Sequence, residues 1–491
     1  MNMTSGRVAA GLGLWVGLWC TPAAGFIPAD GILPGVPWTS TASGSRTFNG
    51  QPATFTWGFI ADGTSINDQG DFTAGADFSN LIASFNSSFG GSPGQSDLTE
   101  QPWFTYFDQA FGRWAEVSGL SYVFEPNDTG QTHGPGFLPG VLGSRPDIRI
   151  GGFNMDGASN VLAYNFFPSI GDMAIDTGDM AFFSNGLGNH VRLRNTLMHE
   201  IGHGLGFEHT SSTTDALLME PTINTSFDGP QLDEIRGAHF LYGDALEKTN
   251  GGAGNNTVAD AFDLGVLSPA APLTIGADAD VLSQRIEAGM TDFVSIAYTV
   301  DTDVFSFTSP VPGQLSVALK PVGGVFANGG TPDFNANASN DLFFSVIDVD
   351  MVSSLAFVDD ESAGFTESLD GLLLDEAGEY FISIAGLSNS TQMYRLDLFF
   401  EASALLGDFN GDFAVDLVDL SILAGSFGLG SGFSLSEGDA NGDGVVDLID
   451  LSLLAGNFGF GAAVPEPGVG LVMVGLLAGV SWRVRWPIFR V

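Results

Sequence analysis

The chain has 491 residues, a length that predicts several domains rather than one core. It carries 57 acidic and only 15 basic residues, which gives a net charge of −42. This balance excludes nucleic acid as a partner, because binding to phosphates requires a basic footprint. Hydrophobic residues make up 44% of the sequence, enough for folded cores, and the acidic side chains keep such a protein solvated.

The N-terminal segment has the features of a secretory signal peptide. Arg7 precedes the apolar run VAAGLGLWVGLWC, and the small residues of TPAAG follow it. We therefore predict a signal peptide at residues 1–24 and export of the mature chain, with an N-terminal anchor as the alternative. The only cysteine, Cys20, lies in this segment, so the mature protein has no disulfide and depends on its cores or on bound metals.

Strand and helix patterns alternate in the region that follows. Residues 25–50 are rich in glycine, serine, proline and threonine, which predicts a linker or a short pro-segment. Beyond them, the strand patterns PATFTWGFI, SYVFEP, DIRIGGF, NVLAYNFFP and GDMAIDT accompany three helical patterns, at 101–119, 190–207 and 231–243. Residues 51–245 are therefore predicted to form an α/β domain with a mixed twisted sheet and three helices.

Three of the six histidines lie within eleven residues, in HEIGHGLGFEH. On a helix, His199 and His203 share one face and can bind the same metal ion. Gly206 can take a positive φ and end the helix, so that the chain returns with His209 as third ligand. Three imidazoles suit zinc and leave a fourth position for water, whose proton Glu200 would accept and pass to a leaving amine.

This spacing is the HExxHxxGxxH signature, and with it the domain resembles the metzincin metallopeptidases. That family has a methionine turn beneath the metal, a position that Met219 in ALLMEP fits. FGRWAEVSGLSYVF, DIRIGGFNMDG, LAYNFFP and DEIRGAHFLYG resemble further elements of the matrixin branch. Pro221 and Thr210 stand where other branches have a tyrosine ligand or an aspartate. The resemblance implies an endopeptidase with one catalytic zinc that acts on protein or peptide substrates.

The chain departs from typical matrixins in its other metal sites and in its latency. Tyr164 and Ala174 stand where the family has histidine ligands of a structural zinc, so we expect no such zinc. Asp176 and Asp179 stand where the family holds calcium, which indicates one further calcium in this domain. A mature chain without cysteine cannot be kept latent by a propeptide thiol on the zinc, so any latency is steric or comes from the compartment.

Residues 253–402 show short strand patterns separated by turns. FVSIAYTV, DVFSFTS, QLSVALKPV, DLFFSVIDVD, SLAFVDD, EYFISIAGL and YRLDLFFEA follow one another without helical patterns, which predicts a β-sandwich. NNTVADAFDLG, DTDVFSFT and AGEYFISIAG resemble the pre-peptidase C-terminal domain of secreted bacterial peptidases. This resemblance carries no catalytic residues.

Residues 405–460 contain two nearly identical copies of one acidic motif, which begin 31 residues apart. Each has a twelve-residue loop with oxygen-bearing side chains at positions 1, 3, 5, 9 and 12 and a backbone carbonyl at position 7, the ligand set of a calcium loop. The first set is Asp408, Asn410, Asp412, Ala414, Asp416 and Asp419; the second is Asp439, Asn441, Asp443, Val445, Asp447 and Asp450. Each loop runs into an apolar helix, so we predict a small all-α pair that binds two calcium ions.

The pair resembles a dockerin. Phe413 replaces the glycine that the family favours at position 6, whereas Gly444 keeps it, so the first site is expected to be the weaker one. Leu417 and Leu448, each with the apolar residue that follows it, stand where cellulosomal dockerins show hydroxyl groups to a cohesin. A cohesin-like partner and a calcium-stapled spacer therefore both remain open.

The C-terminal segment, residues 464–486, combines the motif VPEP with an apolar run of fifteen residues and two arginines. Fifteen residues are short for a membrane span. The segment resembles the PEP-CTERM sorting signal. This resemblance implies transient contact with the inner membrane, cleavage by an exosortase-type enzyme, and a final location at the cell surface or outside the cell. A plain C-terminal anchor is the alternative.

Two classes of function fit these features. The first is a multidomain, exported zinc-dependent endopeptidase with Glu200 as general base. The second is a surface or extracellular-matrix structural or adhesion protein whose peptidase activity is minor or lost. The complete set of three histidines and the adjacent glutamate favours the enzyme.

Overall fold

The computed structural model describes residues 37–459, except 47–48, 69–76, 137–138, 159, 211–216, 281–284, 327–333 and 404. The predicted signal peptide and the sorting segment at 464–486 lie outside these residues. The chain forms two compact units. The first contains the residues up to 308 with 315–372 and 379–399, and the second contains 309–314, 373–378 and the residues from 400 onward. Among the described residues, no helix is both long and apolar enough to cross a membrane.

The first part of the first unit, up to residue 248, combines sheet and helix and is called the α/β part below. Its strands are β1 (Ser40–Thr41), β2 (Gly44–Ser45), β3 (Ala53–Phe59), β4 (Ser65–Ile66), β5 (Asp77–Phe78), β6 (Leu120–Phe124), β7 (Ile148–Phe153), β8 (Ala163–Asn165) and β9 (Met173–Asp176). Its helices are α1 (Leu81–Phe89), α2 (Phe104–Glu116), α3 (Met180–Phe183), α4 (Val191–Leu205) and α5 (Leu232–Tyr242).

The main sheet has the order β6-β3-β7-β9-β8. Its strands run parallel except for the antiparallel pair β8–β9. The predicted mixed sheet is therefore confirmed, and α2, α4 and α5 are the three predicted helices. The helices α1 and α3 were not predicted.

Aromatic side chains hold α2 against this sheet and against α4. The apolar face of α2 carries residues three and four apart, namely Phe104, Phe107, Phe111 and Trp114. Trp57 of β3 stacks on Phe111 with ring centroids 4.6 Å apart. On the other side, Trp114 Nε1 donates a hydrogen bond of 3.0 Å to the carbonyl of Met198 in α4. A buried indole needs such an acceptor, so this contact fixes the position of the helix that carries the histidines.

The described residues before position 51 differ from the predicted linker. Trp38 is only 2% exposed, and its Nε1 donates to the Gly204 carbonyl of α4 at 2.8 Å. The Arg46 guanidinium donates to the carbonyls of Trp38, Gln51 and Leu241. A buried ring with a satisfied N–H belongs to a packed core. The α/β part therefore begins near Trp38 and not at residue 51.

Residues 262–402 consist mainly of strands, as predicted, and are called the sandwich below after their predicted architecture. Its strands are β10 (Phe262–Val266), β11 (Leu273–Ile275), β12 (Val294–Ile296), β13 (Thr302–Ser309), β14 (Gly313–Val322), β15 (Val325–Phe326), β16 (Phe334–Asn335), β17 (Leu342–Ile347), β18 (Ser354–Val358), β19 (Glu367–Leu374), β20 (Gly378–Gly386) and β21 (Gln392–Ala402). One sheet has the order β10-β13-β20-β17-β18, and the other has the order β11-β21-β14-β19 with β12 also paired to β21. Alternate residues of β14 are buried, the period that a strand with one core face requires.

An apolar cluster joins the α/β part to the sandwich within the first unit. The α/β part contributes Val117, Leu232 and Ile235, and the sandwich contributes Ala279, Ile286, Phe293, Val322 and Met393. His239 of α5 also spans the junction, because its Nδ1 lies 2.9 Å from the Ser295 hydroxyl and its Nε2 lies 2.8 Å from the Val117 carbonyl. Burial of apolar area on both sides stabilises the contact. The α/β part and the sandwich residues of the first unit therefore pack against each other.

In the second unit, two helices follow the acidic loops, α6 (Leu417–Ser426) and α7 (Leu448–Asn457). Their shared core consists of Phe409, Val415, Leu423, Ala440, Val446 and Leu454. A Cβ on Gly407 would lie 2.7 Å from the Leu454 Cα, and a Cβ on Gly438 would lie 2.8 Å from the Leu423 Cα. The entrance of each loop therefore packs on the helix of the other copy. The assignment of this pair to the dockerins stays a prediction.

Candidate metal centre

Helix α4 and the turn after it bring three histidines to one point. The Nε2 atoms of His199 and His203 each lie 3.2 Å from the Nε2 of His209. The helix ends at Gly206, whose φ is 114° and whose N–H donates to the carbonyls of Gly202 and His203. This left-handed residue turns the chain back, which places His209 beside the other two rings.

Backbone carbonyls fix the orientation of two of these rings. His199 Nδ1 lies 2.7 Å from the Leu218 carbonyl, and His203 Nδ1 lies 2.7 Å from the Phe207 carbonyl. Because a carbonyl only accepts, each Nδ1 carries the proton and each Nε2 presents a lone pair to the centre. A tetrahedral zinc with Zn–N distances of about 2.0–2.1 Å has ligand nitrogens about 3.3 Å apart, which matches this arrangement. The three residues therefore fit one zinc ion.

The protonation of the rings also suits a metal. The three histidine side chains are partly exposed. Desolvation by the surrounding protein, and secondly the charge of His209, lowers the pKa of His199 to about 3. Desolvation likewise holds the pKa of His203 well below its ordinary value. Metal ligands must be neutral imidazoles, so these shifts favour binding at neutral pH.

Glu200 lies on α4 directly after the first histidine and is 5% exposed. Burial raises the pKa of its carboxyl to about 8. Its Oε2 has no hydrogen-bond partner among the described residues. A carboxyl group with this pKa and an uncommitted oxygen can both accept and release a proton near neutral pH.

Met219 packs against α4, the helix that carries two of the histidines. A Cβ on Gly202 would lie 2.5 Å from the Met219 sulfur, so only glycine allows α4 to pack this closely on the methionine. The Met219 N–H donates to Glu234 Oε1 at 3.1 Å, and its carbonyl accepts from the Thr210 N–H at 2.9 Å. The methionine turn is therefore tied both to α5 and to the residue after His209.

Four residues that support this centre were missed by sequence reasoning. Three aromatic groups donate to carbonyls of α4, namely Trp38 to Gly204, Trp114 to Met198 and Tyr242 to Leu205. The fourth is Glu234, which accepts from the methionine turn. Only Glu234 had a local signal, because it stands three residues after Gln231 in the spacing of a capping box.

The expected calcium of the α/β part involves Asp176, which organises a loop. Its Oδ1 accepts from the N–H groups of Met155 and Gly178, at 3.1 and 2.7 Å. Its Oδ2 accepts from the Asp156 N–H at 3.4 Å. Asp179 follows at the end of the same short turn. A calcium ion held by Asp176 and Asp179 stays a prediction.

The first acidic loop gathers three of its predicted ligands. Carboxylate oxygens of Asp408, Asp412 and Asp419 all lie within 4.8 Å of one another. The two oxygens of Asp408 also accept from the N–H groups of Gly411 and Phe413, at 2.8 and 2.9 Å. These backbone bonds close the loop around the carboxylates, as a calcium loop requires.

The other predicted ligands of that loop also have defined places. Asn410 Nδ2 donates to Asp412 at 2.7 Å, and the Ala414 N–H donates to the same carboxylate at 3.0 Å. Asp416 caps α6 by accepting from the Val418 N–H at 2.6 Å. This contact fixes the Asp416 carboxylate at the start of the helix.

The second loop repeats the hydrogen bonds of the first. Asp439 accepts from the N–H groups of Gly442 and Gly444, and Asp450 accepts from those of Ala440, Asn441 and Asp447. The remaining predicted ligands, Asn441, Asp443, Val445 and Asp447, make the same bonds as their counterparts. At position 6, Phe413 has a φ of 66° and Gly444 has a φ of 84°. Only the glycine takes this left-handed conformation without strain.

Comparisons with known proteins agree with the geometry of the histidine centre. Residues 87–243 match the matrixin family (Peptidase M10). The chain is 31% identical over 157 residues to Metalloendoproteinase 2-MMP of Arabidopsis thaliana, covering 30% of this chain and 39% of that protein. It is 33% identical over 150 residues to Metalloendoproteinase 4-MMP of the same plant, covering 28% and 39%. The chain thus spans about two-fifths of the length of these curated relatives.

Among solved structures, the chain is similar to the pre-peptidase C-terminal domain of collagenase from Bacillus anthracis. The identity is 13%, the match covers 28% of this chain and 93% of that one, and the TM-score is 0.18. A similarity at this TM-score carries no argument. The resemblance of residues 253–402 to that domain therefore stays a prediction.

The matched residues include α2, α4 and α5, the three converging histidines, Glu200 and the methionine turn. The resemblance to matrixins that the signature indicated is thereby confirmed for this part of the chain. Residues 87–243 form a matrixin-like metallopeptidase domain.

Proposed function

We propose that this chain is an exported zinc-dependent endopeptidase that hydrolyses peptide bonds in proteins or peptides. The observation that carries this proposal is the convergence of three imidazole nitrogens beside the buried Glu200, with those of His199 and His203 each 3.2 Å from that of His209. The matrixin match and the names of the metalloendoproteinase relatives support the same class of activity.

The proposed chemistry uses four residues of α4 and the following turn. His199, His203 and His209 would hold one zinc ion. When bound, zinc supplies a Lewis acid that polarises the scissile carbonyl and lowers the pKa of water. Glu200 accepts a proton from the attacking water and passes it to the leaving amine, so that the C–O bond forms and the C–N bond breaks with the proton accounted for.

The paired loops would hold two calcium ions in this protein. Each loop contributes four aspartates, which repel one another unless a cation compensates them. Leu417 and Leu448 occupy equivalent places after the loops and are 70% and 71% exposed. These leucines stand where cellulosomal dockerins show hydroxyl groups to a cohesin, so a cohesin-like partner and a calcium-stapled spacer both remain open.

Export and sorting are proposed from sequence patterns at residues 1–24 and 464–486. Under this proposal an exosortase-type enzyme processes the tail after transient contact with the inner membrane, and the mature chain reaches the cell surface or the medium. The alternative is a structural or adhesion protein with little or no peptidase activity. The intact arrangement of the three histidines and Glu200 favours the enzyme.

A peptide-library assay on the purified chain tests the proposal. We expect cleavage of internal peptide bonds, loss of cleavage in a zinc chelator, and recovery when zinc is restored. An inhibitor of serine peptidases serves as the control and should change nothing. A chain that holds one zinc per molecule yet cleaves no peptide in the library would favour the structural alternative.

A further inference from the structure

A second group of acidic side chains lies at the junction of the α/β part and the sandwich. Carboxylate oxygens of Glu247, Asp301 and Asp303 all lie within 4.8 Å of one another. Glu247 belongs to the short turn Ala245–Lys248 that follows α5, whereas Asp301 and Asp303 stand at the start of β13. The group therefore takes one carboxylate from the α/β part and two from the sandwich, all within the first unit.

Two of these carboxylates are buried and that of Asp301 is partly buried, and among the described residues no salt bridge to the group is present. Glu247 is 8% exposed and Asp303 is fully buried. Burial raises the pKa of both carboxyl groups, and the charges of neighbouring carboxylates, including Asp244, raise it further. The ammonium group of Lys248 donates to the carbonyls of Ala115 and Leu120. Buried anions of this kind need a compensating cation or a shared proton.

The two oxygens of Asp303 have different surroundings. Its Oδ2 accepts from the Tyr394 hydroxyl at 2.5 Å. Its Oδ1 has no hydrogen-bond partner among the described residues, although the side chain is fully buried. The Oδ1 of the fully buried Asn255 also has no partner among these residues, and the Asn255 carbonyl accepts from the N–H of Val304, next to Asp303. Buried polar oxygens are normally satisfied, so an acceptor left over beside two other carboxylates indicates a cation.

The loop before β10 is shaped around Glu247. Gly254 has a φ of 70°, and a Cβ there would lie 2.6 Å from Glu247 Oε2, so the backbone passes close to the carboxylate. Asn256 makes a side-chain hydrogen bond to Glu247, and its Oδ1 accepts from the Thr302 N–H at 3.2 Å. These contacts hold the Glu247 carboxylate toward the start of β13 and keep the two sides of the group together.

We propose that Glu247, Asp301 and Asp303 bind one divalent cation of the calcium class, which fastens the α/β part to the sandwich. An all-oxygen set with three carboxylates selects a hard cation. Calcium binds oxygen at about 2.3–2.6 Å, so ligands on opposite sides of the ion lie up to about 5 Å apart, which fits the observed spacing. The proposal does not depend on the proposed peptidase activity, because none of these residues belongs to the histidine centre.

The test compares the purified full chain with two isosteric variants, Asp303→Asn and Glu247→Gln. Asp263→Asn, an exposed aspartate of β10, is the matched control. Bound calcium is counted by elemental analysis after equilibrium dialysis, and thermal unfolding is followed with calcium and with a chelator. Every protein carries the same paired loops, so those sites cancel in the comparison.

We expect each of the two variants to bind one calcium ion fewer than the wild type and the control variant to bind the same number. In the chelator, Asp303→Asn should unfold at a higher temperature than the wild type, because it removes a buried negative charge. In calcium, this order should reverse. An unchanged calcium count in Glu247→Gln, which stands at the less buried position, would overturn the proposal even if Asp303→Asn failed to fold. The carboxylates would then share protons only.

Discussion

The Met219 N–H and Glu234 Oε1 are joined by a hydrogen bond of 3.1 Å. The other oxygen of Glu234 accepts from the Gln231 N–H at 2.9 Å, so both oxygens are committed to backbone donors. Burial, aided by the charge of Asp233, raises the pKa of this carboxyl to about 8. The start of α5 therefore supports the methionine turn beneath the histidines.

Replacing Glu234 with glutamine is expected to destabilise the protein and loosen the metal centre. An amide has only one acceptor oxygen, so one of the two buried N–H groups loses its partner, at a cost of about 1–3 kcal/mol. Denaturant unfolding and zinc retention during dialysis measure the effect. Glu116→Gln is the control, because that side chain is 56% exposed. Wild-type stability and zinc retention in Glu234→Gln would show that the bond does not support the centre.

Phe413 is expected to weaken the first calcium loop through its backbone. An L-residue in the left-handed region costs roughly 1–2 kcal/mol, and Phe413 is 40% exposed, so its ring contributes little packing. Phe413→Gly should therefore tighten calcium binding at that loop by about tenfold, the equivalent of about 1.4 kcal/mol. Gly444→Phe should weaken the second loop to a similar extent. Calorimetric titration of the full chain with calcium measures the affinity of each loop. If neither substitution changes the affinity, backbone strain at Phe413 does not weaken the first loop.

The pH dependence of stability follows from the acidic group at the junction. Burial first, and neighbouring carboxylates second, raise the pKa of Glu247 to about 9, and burial raises that of Asp301 to about 7. The folded state therefore binds more protons than the unfolded state between about pH 4 and pH 9. Without calcium, the free energy of unfolding should fall as pH rises through this window.

Denaturant unfolding at pH 5 and pH 8, in chelator and in calcium, measures this dependence. The variant Asp303→Asn distinguishes the contribution of this acidic group from that of other buried acids such as Glu234. Without calcium, its free energy of unfolding should change less with pH than that of the wild type. Tyr394 donates to Asp303, and burial holds the pKa of its hydroxyl above this window, whereas burial lowers the pKa of Lys248, which lies beside Asp244. A calcium-free slope that Asp303→Asn leaves unaltered would assign the pH dependence to other groups.

The residues before position 51 lead to a prediction about latency. A chain that begins at Phe26 contains no cysteine and should cleave peptides without a mercurial activator. Trp38 is required in the mature domain, because Trp38→Ala removes a buried ring and the bond to Gly204 at a cost of about 3–5 kcal/mol. Thermal unfolding and peptide cleavage of Trp38→Ala and Trp38→Phe compare the ring with the hydrogen bond. Activity that rises when the residues through Trp38 are removed would identify them as an inhibitory pro-segment.

Local patterns predicted the parts of the fold whose signals are contained in one element. His199 and His203 lie four apart on one helix, and β14 alternates buried and less buried residues, so the residue spacing alone predicts this helix and this strand. Helix α1 was missed because it spans only nine residues between loops, although Leu81 and Phe85 repeat at helical spacing.

Contacts between distant residues could not be predicted in this way. Trp38 meets Gly204 across 166 positions, and Glu247 meets Asp301 and Asp303 across more than fifty. No local period connects such residues, and their proximity depends on how the sheet and helices pack. The start of the α/β part was placed too late for the same reason, since Trp38 looks like a linker residue until its acceptor is known.

The central claim is that Glu200 acts as the general base of a zinc peptidase. The most direct test measures zinc content and peptide cleavage for Glu200→Gln and for the wild type. The account predicts that the variant keeps one zinc per chain and loses about 10²–10⁴-fold in kcat/KM, because it removes the proton acceptor and leaves the three histidines in place. His209→Ala, as the comparison, should lose zinc and activity together. Cleavage by zinc-loaded Glu200→Gln at the wild-type rate would contradict the assignment of the buried glutamate as the base.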